Sequence, residues 1–289
     1  MKLIIGASGA VGIPTIKNMI KSGHEFCVLS SNEESALKLR ALGVVNVIVG
    51  DYREDGVLAS VMRDVQSVCY IPARHIEDEL EVGKSIVDAA KVVKLDHFLF
   101  CSAFQPQLQS LNHHWKKLLL EEYIIDSDLR ATIVQPSMFM QNIRVEWPTI
   151  IECGEYRRPY STESLMNVID VDDLGEAIAK IMNEPVLQGA TYQFSGDGPM
   201  SHSDMAKQIS KKLGKKVKAI KIDIEDWKKW AIERGWTEYG INNYQNMCQH
   251  YDEHGYKYAN KLTLTAILGR EPLNFSEFIE KFAEEIYLN

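Results

Sequence analysis

Short apolar runs alternate with longer amphipathic stretches through the first half of the chain. The runs are hydrophobic throughout, as in strands that are covered on both faces of a parallel sheet. The stretches between them, such as Val11 to Ser22 and Glu33 to Leu42, repeat apolar residues at helical spacing. This order predicts right-handed strand–helix–strand units and therefore a doubly wound α/β fold. The six runs are "KLIIGA", "EFCVLS", "VNVIVGD", "SVCYIPA", "HFLFCSA" and "RATIVQP".

The regular alternation ends after Pro136. "NVIDVDDLGEAIAKIMNEP" predicts a strand that leads into a helix, and "ATYQFSG" predicts a further strand. "SHSDMAKQISKKLG" predicts a helix that begins at Ser201 or Ser203 and ends at Gly214. From Asp223 onward the chain is rich in aromatic residues and mostly helical in pattern. We therefore expect a parallel-sheet domain over residues 1–150 and a smaller, mostly helical lobe over 151–289 that returns segments to the sheet.

Composition narrows the class of protein. The chain has 289 residues, of which 45% are hydrophobic and 25% charged, as in an ordinary globule with a buried core. Its formal net charge of −8 argues against a nucleic-acid binder or an anionic-membrane binder. The basic cluster at 211–221 is interpreted as a solvated helix end and strand. Because no leader or membrane-spanning stretch is evident, we predict a cytoplasmic protein.

The cysteines and histidines do not predict a metal or disulfide framework. The five cysteines are scattered without a CxxC pair, and Cys27, Cys69 and Cys101 lie in apolar runs as small hydrophobes. "HYDEH" at 250–254 matches the letters of a zinc pattern but has no evident third ligand. We predict no metal site.

Three glycines follow the first apolar run in "GASGAVG". Gly6 would permit a tight turn, Gly9 a close approach of pyrophosphate to the backbone, and Gly12 the packing of the helix on the strand. The spacing is a variant of the dinucleotide-binding fingerprint, in the required context between a strand and a helix. We predict a dinucleotide cofactor that contacts this turn, including the residues between the glycines: Ser8, Ala10 and Val11.

The residues after the second strand bear on which dinucleotide binds. Ser30, Ser31 and Asn32 can bond a phosphate or a ribose, whereas Lys38 and Arg40 lie one to two helical turns away. NADP(H) is favoured. NAD(H) is left open, because Glu33 is either the acidic residue that bonds the ribose of NAD or an ordinary charge in the first turn of the helix. Asp51 is either an adenine ligand or an ordinary turn aspartate. Further predicted cofactor contacts end the third and fourth strands: Asp51, Tyr52, Ile71, Pro72 and Ala73.

The chain resembles the NmrA-like group of atypical short-chain dehydrogenases/reductases almost from end to end. The resemblance implies a Rossmann fold with NAD(P) bound. The group includes NADP-dependent reductases of quinones, dyes and plant phenolic ethers, and also catalytically silent redox sensors. The stretches that carry the resemblance are "GASGAVG", "VIVGDYRE", "IVDAAKVVKLDHFLFCSA", "HHWKKLLLEEYIIDSDLRATIVQPSMFMQN", "NVIDVDDLGEAIAKIM" and "LGREPLNFSEFIEKFAEE".

The resemblance also implies site residues. Where short-chain dehydrogenases usually carry Tyr-x-x-x-Lys, this chain has His113-x-x-x-Lys117. Lys117 then implies a cofactor contact or a proton donor, Ser102 a hydroxyl beside the substrate carbonyl, and Pro136 a turn that lines the nicotinamide. Ser31 stands where relatives often have Arg, which weakens the case for NADP.

Each candidate has a plain structural alternative. Lys117 could instead be a surface lysine paired with Glu121, and Ser102 could merely satisfy backbone groups. His113 and His114 either relay protons or cap the start of a helix. We predict Lys117, Ser102 and His113 as catalytic. Predicted substrate contacts are Phe104, His114, Met138, Phe139 and Tyr156, and packing in the core or lobe is the favoured alternative for the last three.

Two hypotheses follow. The first is an NAD(P)H-dependent reductase of a small aromatic or conjugated carbonyl, enone, imine or quinone, with the second lobe covering the substrate. The second is a non-catalytic NADP(H)-binding sensor that binds a protein partner, which the missing tyrosine favours. We favour the enzyme, acting on a small molecule, and leave open whether it forms a homodimer.

Overall fold

A computed structural model describes residues 1–74 and 76–287, apart from the side chains of residues 286 and 287. The strands are β1 (Lys2–Ile5), β2 (Phe26–Ser30), β3 (Asn46–Val49), β4 (Ser67–Tyr70), β5 (His97–Cys101), β6 (Ala131–Pro136), β7 (Met138–Phe139), β8 (Glu155–Arg158), β9 (Met166–Ile169), β10 (Thr191–Phe194), β11 (Asp197–Met200) and β12 (Lys218–Lys221). The helices are α1 (Gly12–Ser22), α2 (Glu33–Ala41), α3 (Val57–Val61), α4 (Glu79–Val93), α5 (Asn112–Ile125), α6 (Trp147–Cys153), α7 (Val171–Asn183), α8 (His202–Leu213), α9 (Ile224–Glu233), α10 (Glu238–His254), α11 (Leu262–Leu268) and α12 (Phe275–Tyr287). Short 3₁₀ turns occupy Met140–Val145 and Pro185–Leu187.

The chain divides into two compact units. The first comprises Met1–Pro136 and Val171–Gln193, and the second comprises Ser137–Asp170 and the chain from Phe194 onward. The first unit thus ends its amino-terminal part at Pro136, before the predicted boundary at residue 150. It takes back α7 and most of β10 from later in the chain.

The first unit contains the predicted parallel sheet. Seven strands lie in the order β10-β6-β5-β4-β1-β2-β3, and every pair from β6 to β3 is parallel. The chain builds outward from β1 to β3, returns to β4 beside β1, and then builds in the opposite direction. The doubly wound prediction is confirmed, with the topological switch between β1 and β4.

Burial explains why these strands are apolar throughout. All residues of β2, β4 and β5 are buried, so no position in them alternates towards solvent. On one face, Tyr70 and Phe100 pack with Ile86 of α4 and Leu120 of α5. Elsewhere in the unit, α1 and α7 lie so close that a Cβ on Gly175 would be 2.6 Å from the Pro14 backbone.

The second unit has small sheets and a largely helical carboxyl-terminal part. Its sheets are β11-β9-β7 and β12-β8. Helix α8 begins with a capping box of Ser201 and Asp204 and ends at Gly214 (φ 63°), which confirms Ser201 as its start. The basic cluster at 211–221 spans the end of α8 and β12, as predicted.

The cysteines are free thiols, and all but the exposed Cys153 are buried. Across residues 1–74 and 76–287, no helix is both long and apolar enough to cross a bilayer. The same residues contain no group of three or more His, Cys, Asp or Glu side chains that could hold a metal ion. His250 and His254 lie one turn apart on α10, with ring centres separated by 5.0 Å.

Candidate cofactor and active site

The predicted cofactor residues meet at one edge of the sheet. Those that follow β1, β2, β3 and β4, together with Pro136 at the end of β6, lie at the carboxyl ends of parallel strands. Ligands bind at this edge, next to the switch point, in doubly wound sheets. The topology therefore gathers residues that are far apart in the sequence.

The three glycines have different structural reasons. Gly6 has φ +90°, and a Cβ there would collide with the Ile71 carbonyl oxygen. A Cβ on Gly12 would collide with the carbonyl oxygens of Gly6 and Ala7. Gly12 therefore lets α1 pack against the turn, whereas the sequence had suggested packing against the strand. A Cβ on Gly9 would meet only the Gly6 carbonyl oxygen, at 3.4 Å. The folded chain does not itself require a glycine at Gly9.

The start of α1 suits an anion. Its N-cap residue, Val11, makes no side-chain capping bond, whereas α2 and α8 are capped by Asn32 and Ser201. The start of a helix is the positive end of its dipole. In α1, the Ile13 amide bonds the Gly9 carbonyl at 3.0 Å and Pro14 has no amide hydrogen, so the dipole rather than a full set of open amides would attract the anion. Ser8, Gly9 and Ala10 are exposed in front of this helix start. These features fit the diphosphate of a dinucleotide.

The end of β2 presents neutral polar groups. Buried Ser30 donates its hydroxyl to the Asn32 carbonyl (3.0 Å), and the Asn32 side chain accepts from the Ser35 amide (2.9 Å). Ser31 is exposed and accepts from the Asn32 amide nitrogen at 3.2 Å. The cations of α2 pair within the helix, as Lys38 with Glu34 and Arg40 with Glu33.

Asp51, Tyr52 and Arg53 form a turn after β3. Asp51 accepts the Arg53 amide at 2.9 Å, as a turn aspartate does. The Arg53 guanidinium bonds both oxygens of Asp78 (2.9 and 3.1 Å) and lies 4.9 Å from the centre of the Tyr52 ring. Arg53 was not among the predicted site residues, although it lies only two positions after Asp51.

The end of β4 closes the edge beside the glycine turn. The buried Ile71 donates its amide to the Ile5 carbonyl at 2.9 Å, which continues the ladder between β4 and β1. Pro72 is half-buried and Ala73 is exposed. The hydroxyl of the preceding Tyr70 is buried and has no hydrogen-bond partner among the described residues.

Lys117 forms an ion pair with Glu79, which contradicts the structural alternative of a surface lysine paired with Glu121. The Lys117 side chain is only 13% exposed and that of Glu79 is 4% exposed. The Lys117 ammonium lies 5.9 Å from the centre of the Phe100 ring, near the end of β5. Lys117 is thus held beside the carboxyl ends of β4 and β5.

Ser102 and Glu121 belong to a second buried polar group. The Ser102 hydroxyl donates to Oε1 of Glu121, and the Gln135 side-chain amide donates to both oxygens of Glu121, at 3.0 and 2.9 Å. Burial raises the pKa of the Glu121 carboxyl above its ordinary value, against the opposing effects of the Ser102 and Gln135 hydrogen bonds and the Lys117 charge. The Ser102 hydroxyl therefore bonds a carboxyl group, not the backbone.

The histidines do not cap α5, because Leu111 is its N-cap residue and no side chain caps it. The His113 and His114 rings meet edge to face, with centres 4.4 Å apart. His114 is buried, and its Nδ1 lies 3.3 Å from the Gln105 carbonyl oxygen.

The predicted substrate residues differ in exposure. Phe104 is fully buried, and His114 is nearly so. Tyr156 is also buried, in the second unit, where its hydroxyl accepts from Arg158 at 3.2 Å. All three side chains are buried in this conformation, and their roles as substrate contacts stay predictions. Met138 and Phe139 are half-buried in β7, so they are the better candidates for substrate contact.

The sheet order, and the glycine turn that leads into a helix without a side-chain cap, define a doubly wound protein of the Rossmann type. The chain belongs to the NmrA-like family, whose model matches residues 2–282.

Named relatives cover nearly the whole chain. The NAD(P)H azoreductase of Xenophilus azovorans is 24% identical over 284 residues, which is 98% of each chain. The NADPH-dependent quinone oxidoreductase of Escherichia coli, solved with NADPH, has a TM-score of 0.86 at 18% identity over 98% of this chain and 100% of its own. The Citrobacter sp. triphenylmethane reductase, solved with NADP(H), has a TM-score of 0.82 at 18% identity, again over 98% and 100%.

Proposed function

We propose that this protein is an NAD(P)H-dependent reductase that delivers hydride to a small aromatic or conjugated acceptor. The acceptor classes are a quinone, an azo compound, an enone or an imine. The observation that carries the proposal is the open glycine turn at the same sheet edge as the buried Lys117–Glu79 and Ser102–Glu121 pairs. The named relatives are an NAD(P)H azoreductase, an NADPH-dependent quinone oxidoreductase and a triphenylmethane reductase solved with NADP(H), which supports this choice.

NADP(H) is the favoured cofactor, because the two solved relatives above are complexed with NADPH or NADP(H). The diphosphate would bind at the start of α1, in front of Gly9, where the helix dipole is positive. The Ser31 hydroxyl and the Asn32 amide group would meet the adenosine ribose or its phosphate. NAD(H) remains the alternative, because no unpaired cation follows β2 within the described part of α2.

The bound cofactor supplies a hydride, and the protein supplies orientation and a proton. The Lys117 ammonium has three N–H groups, of which one bonds Glu79, so two remain to hold a ribose hydroxyl or an acceptor atom. Ser102 places a hydroxyl at the end of β5, where the reacting groups would lie. Lys117 and Ser102 would thus replace the tyrosine that short-chain dehydrogenases usually carry at the position of His113.

The test is reduced-cofactor oxidation by the purified chain. We expect NADPH absorbance to fall when a naphthoquinone, an azo dye or a triphenylmethane dye is added, and calorimetry to show saturable NADPH binding. The absence of oxidation with every one of these acceptors, for both NADPH and NADH, would overturn the proposal. The non-catalytic sensor gains no support from the relatives, and it predicts binding without oxidation.

A further inference from the structure

Glu121 is a buried carboxyl whose direct partners are neutral. It is 5% exposed, and the described residues that bond it are the Ser102 hydroxyl and the Gln135 amide. The cation one helical turn away, Lys117, bonds Glu79 instead. A buried carboxylate without a directly bonded cation is costly, so such a group needs an explanation beyond packing.

The protonation of Glu121 decides what Ser102 can do. A hydroxyl has one proton to donate. When Glu121 is ionised, that proton bonds Oε1, so Ser102 can only accept a bond from a substrate. When Glu121 is protonated, its own proton can bond Oγ of Ser102, and the Ser102 proton is free to point away from Glu121.

The surroundings favour the protonated form more than water does. Burial raises the pKa of the Glu121 carboxyl, while the Lys117 charge on the same helix opposes that rise. Lys117 is itself shared with Glu79 from α4. From β5, burial raises the pKa of the Cys101 thiol to about 12, so Cys101 adds no charge near neutral pH. Gln135 from β6 is neutral.

We propose that Glu121 is a positioning residue that supplies Ser102 with a proton for the reduced acceptor, in place of the absent tyrosine. This inference rests on the proposed reductase function. The acceptor gains two electrons and a hydrogen as hydride from the nicotinamide, which is oxidised. The Ser102 O–H bond then breaks, and its proton goes to the negative oxygen or nitrogen of the acceptor. The proton of Glu121 passes to Oγ of Ser102, and one proton taken up from the buffered solvent restores the Glu121 carboxylic acid, so that each turnover consumes one proton.

The first experiment compares Glu121→Gln with wild type across pH, using NADPH and a naphthoquinone. Loss of the transferable proton is expected to lower kcat by at least about tenfold, within the range of general acid catalysis. For wild type we expect kcat to decline as pH rises, and Glu121→Gln is expected to remove that decline while KM stays within about twofold. Glu122→Gln, the same change at the exposed neighbour on α5, is the matched control. A Glu121→Gln variant with the wild-type kcat and pH profile would overturn the inference.

A second kinetic comparison tests whether the two residues act as one unit. Ser102→Ala is expected to slow turnover, and adding Glu121→Gln to it is expected to cause no further loss. Two independent, multiplying losses would instead indicate that Glu121 acts only through the fold.

Infrared spectroscopy gives a readout that needs neither turnover nor a folded Glu121 variant. With ¹³C-labelled glutamate in the cofactor-free protein, we expect a buried carboxylic-acid band that titrates with pH and shifts in Ser102→Ala. A Glu121 that is ionised throughout the pH range of turnover would refute the inference. If wild type oxidises neither NADPH nor NADH with any of the acceptors, the proposed function fails instead, while this titration still reports on Glu121.

Discussion

Lys117 on α5 bonds Glu79 at the first position of α4, across 38 residues of sequence. Both side chains are largely closed to solvent, so the pair joins two helices and fixes an ammonium group beside the ends of two central strands. A buried ion pair contributes little net stability, but removal of one partner leaves a costly charge. The pair therefore allows structural and chemical roles of Lys117 to be separated.

Lys117→Met alone is expected to lower the free energy of unfolding by about 3–5 kcal/mol, because Glu79 is left buried and unpaired. The double variant Lys117→Met/Glu79→Leu is expected to regain most of that stability and to remain at least about a hundredfold slower than wild type. Urea unfolding and NADPH oxidation measure the two effects. If turnover returns together with stability in the double variant, Lys117 has only a structural role.

Gly9→Ala is expected to weaken NADPH binding at least about tenfold, or about 1.4 kcal/mol, because the methyl group would stand between the diphosphate and the backbone. Stability is expected to change by less than about 0.5 kcal/mol, since the folded chain has room for this Cβ. Calorimetry and urea unfolding measure both.

Gly6→Ala is the contrasting variant of the same turn. Its Cβ would collide with the Ile71 carbonyl oxygen at φ +90°, so we expect a loss of several kcal/mol, on the order of 2–4, or failure to fold. Unchanged NADPH affinity in Gly9→Ala would place the diphosphate elsewhere.

Ser31→Arg is expected to improve NADPH affinity over NADH by about tenfold, because a guanidinium can bond a phosphate through two N–H groups. Ser31 is exposed and follows the end of β2, so the change should cost little stability. Calorimetric titration of both cofactors into wild type and variant measures the preference. Lys17→Arg, at an exposed position on α1, controls for added guanidinium elsewhere. An equal effect on both cofactors would show that Ser31 does not face the 2′ position.

His97 predicts an acid-sensitive first unit. It is buried at the start of β5 with Nε2 2.8 Å from the Thr132 hydroxyl, and burial lowers its pKa from 6.5 to about 4. On acidification, His97 is therefore protonated in the unfolded chain at a higher pH than in the folded chain. The free energy of unfolding falls as pH drops from 6.5 towards 4, by about 3 kcal/mol in total. His97→Gln is expected to lose less stability on acidification than wild type, as measured by urea midpoints.

The exposed His24→Gln is the control for that comparison. Any acid sensitivity that persists in His97→Gln is expected to include His202, since burial holds the pKa of this second histidine well below its ordinary value. Identical acid profiles of wild type and His97→Gln would contradict the assignment to His97.

Local patterns predicted the strands, helices and glycine turn because these depend on neighbours in the sequence. The uniform apolar runs of β4 and β5 reflect burial on both faces, and Gly214 ends α8 by its left-handed backbone. The domain assignment of residues 137–150 was harder, because the chain passes between units at Pro136 without a polar linker.

The ion-pair partner of Lys117 and the hydrogen-bond partners of Glu121 could not be predicted from the spacing of residues along the chain. Glu121 lies one turn from Lys117, which predicts a helical ion pair, but Lys117 turns instead to Glu79. Glu121 meets Ser102 and Gln135, whose strands approach α5 only in the folded sheet. The burial of Phe104 and Tyr156 likewise depends on packing, which residue type alone leaves undecided.

The return of Val171–Gln193 to the first unit has a consequence for synthesis on the ribosome. A nascent chain that has emerged only as far as Pro136 already holds the glycine turn and Lys117, yet it lacks α7 beside α1 and the strand that covers β6. The Ile133 amide donates to the Ala190 carbonyl at 3.0 Å in the folded chain. It would lack this partner, at an unpaired edge of the sheet, until residue 190 is translated. The first unit, which carries the glycine turn, can therefore be completed only after residues Ser137–Asp170 of the second unit have been translated.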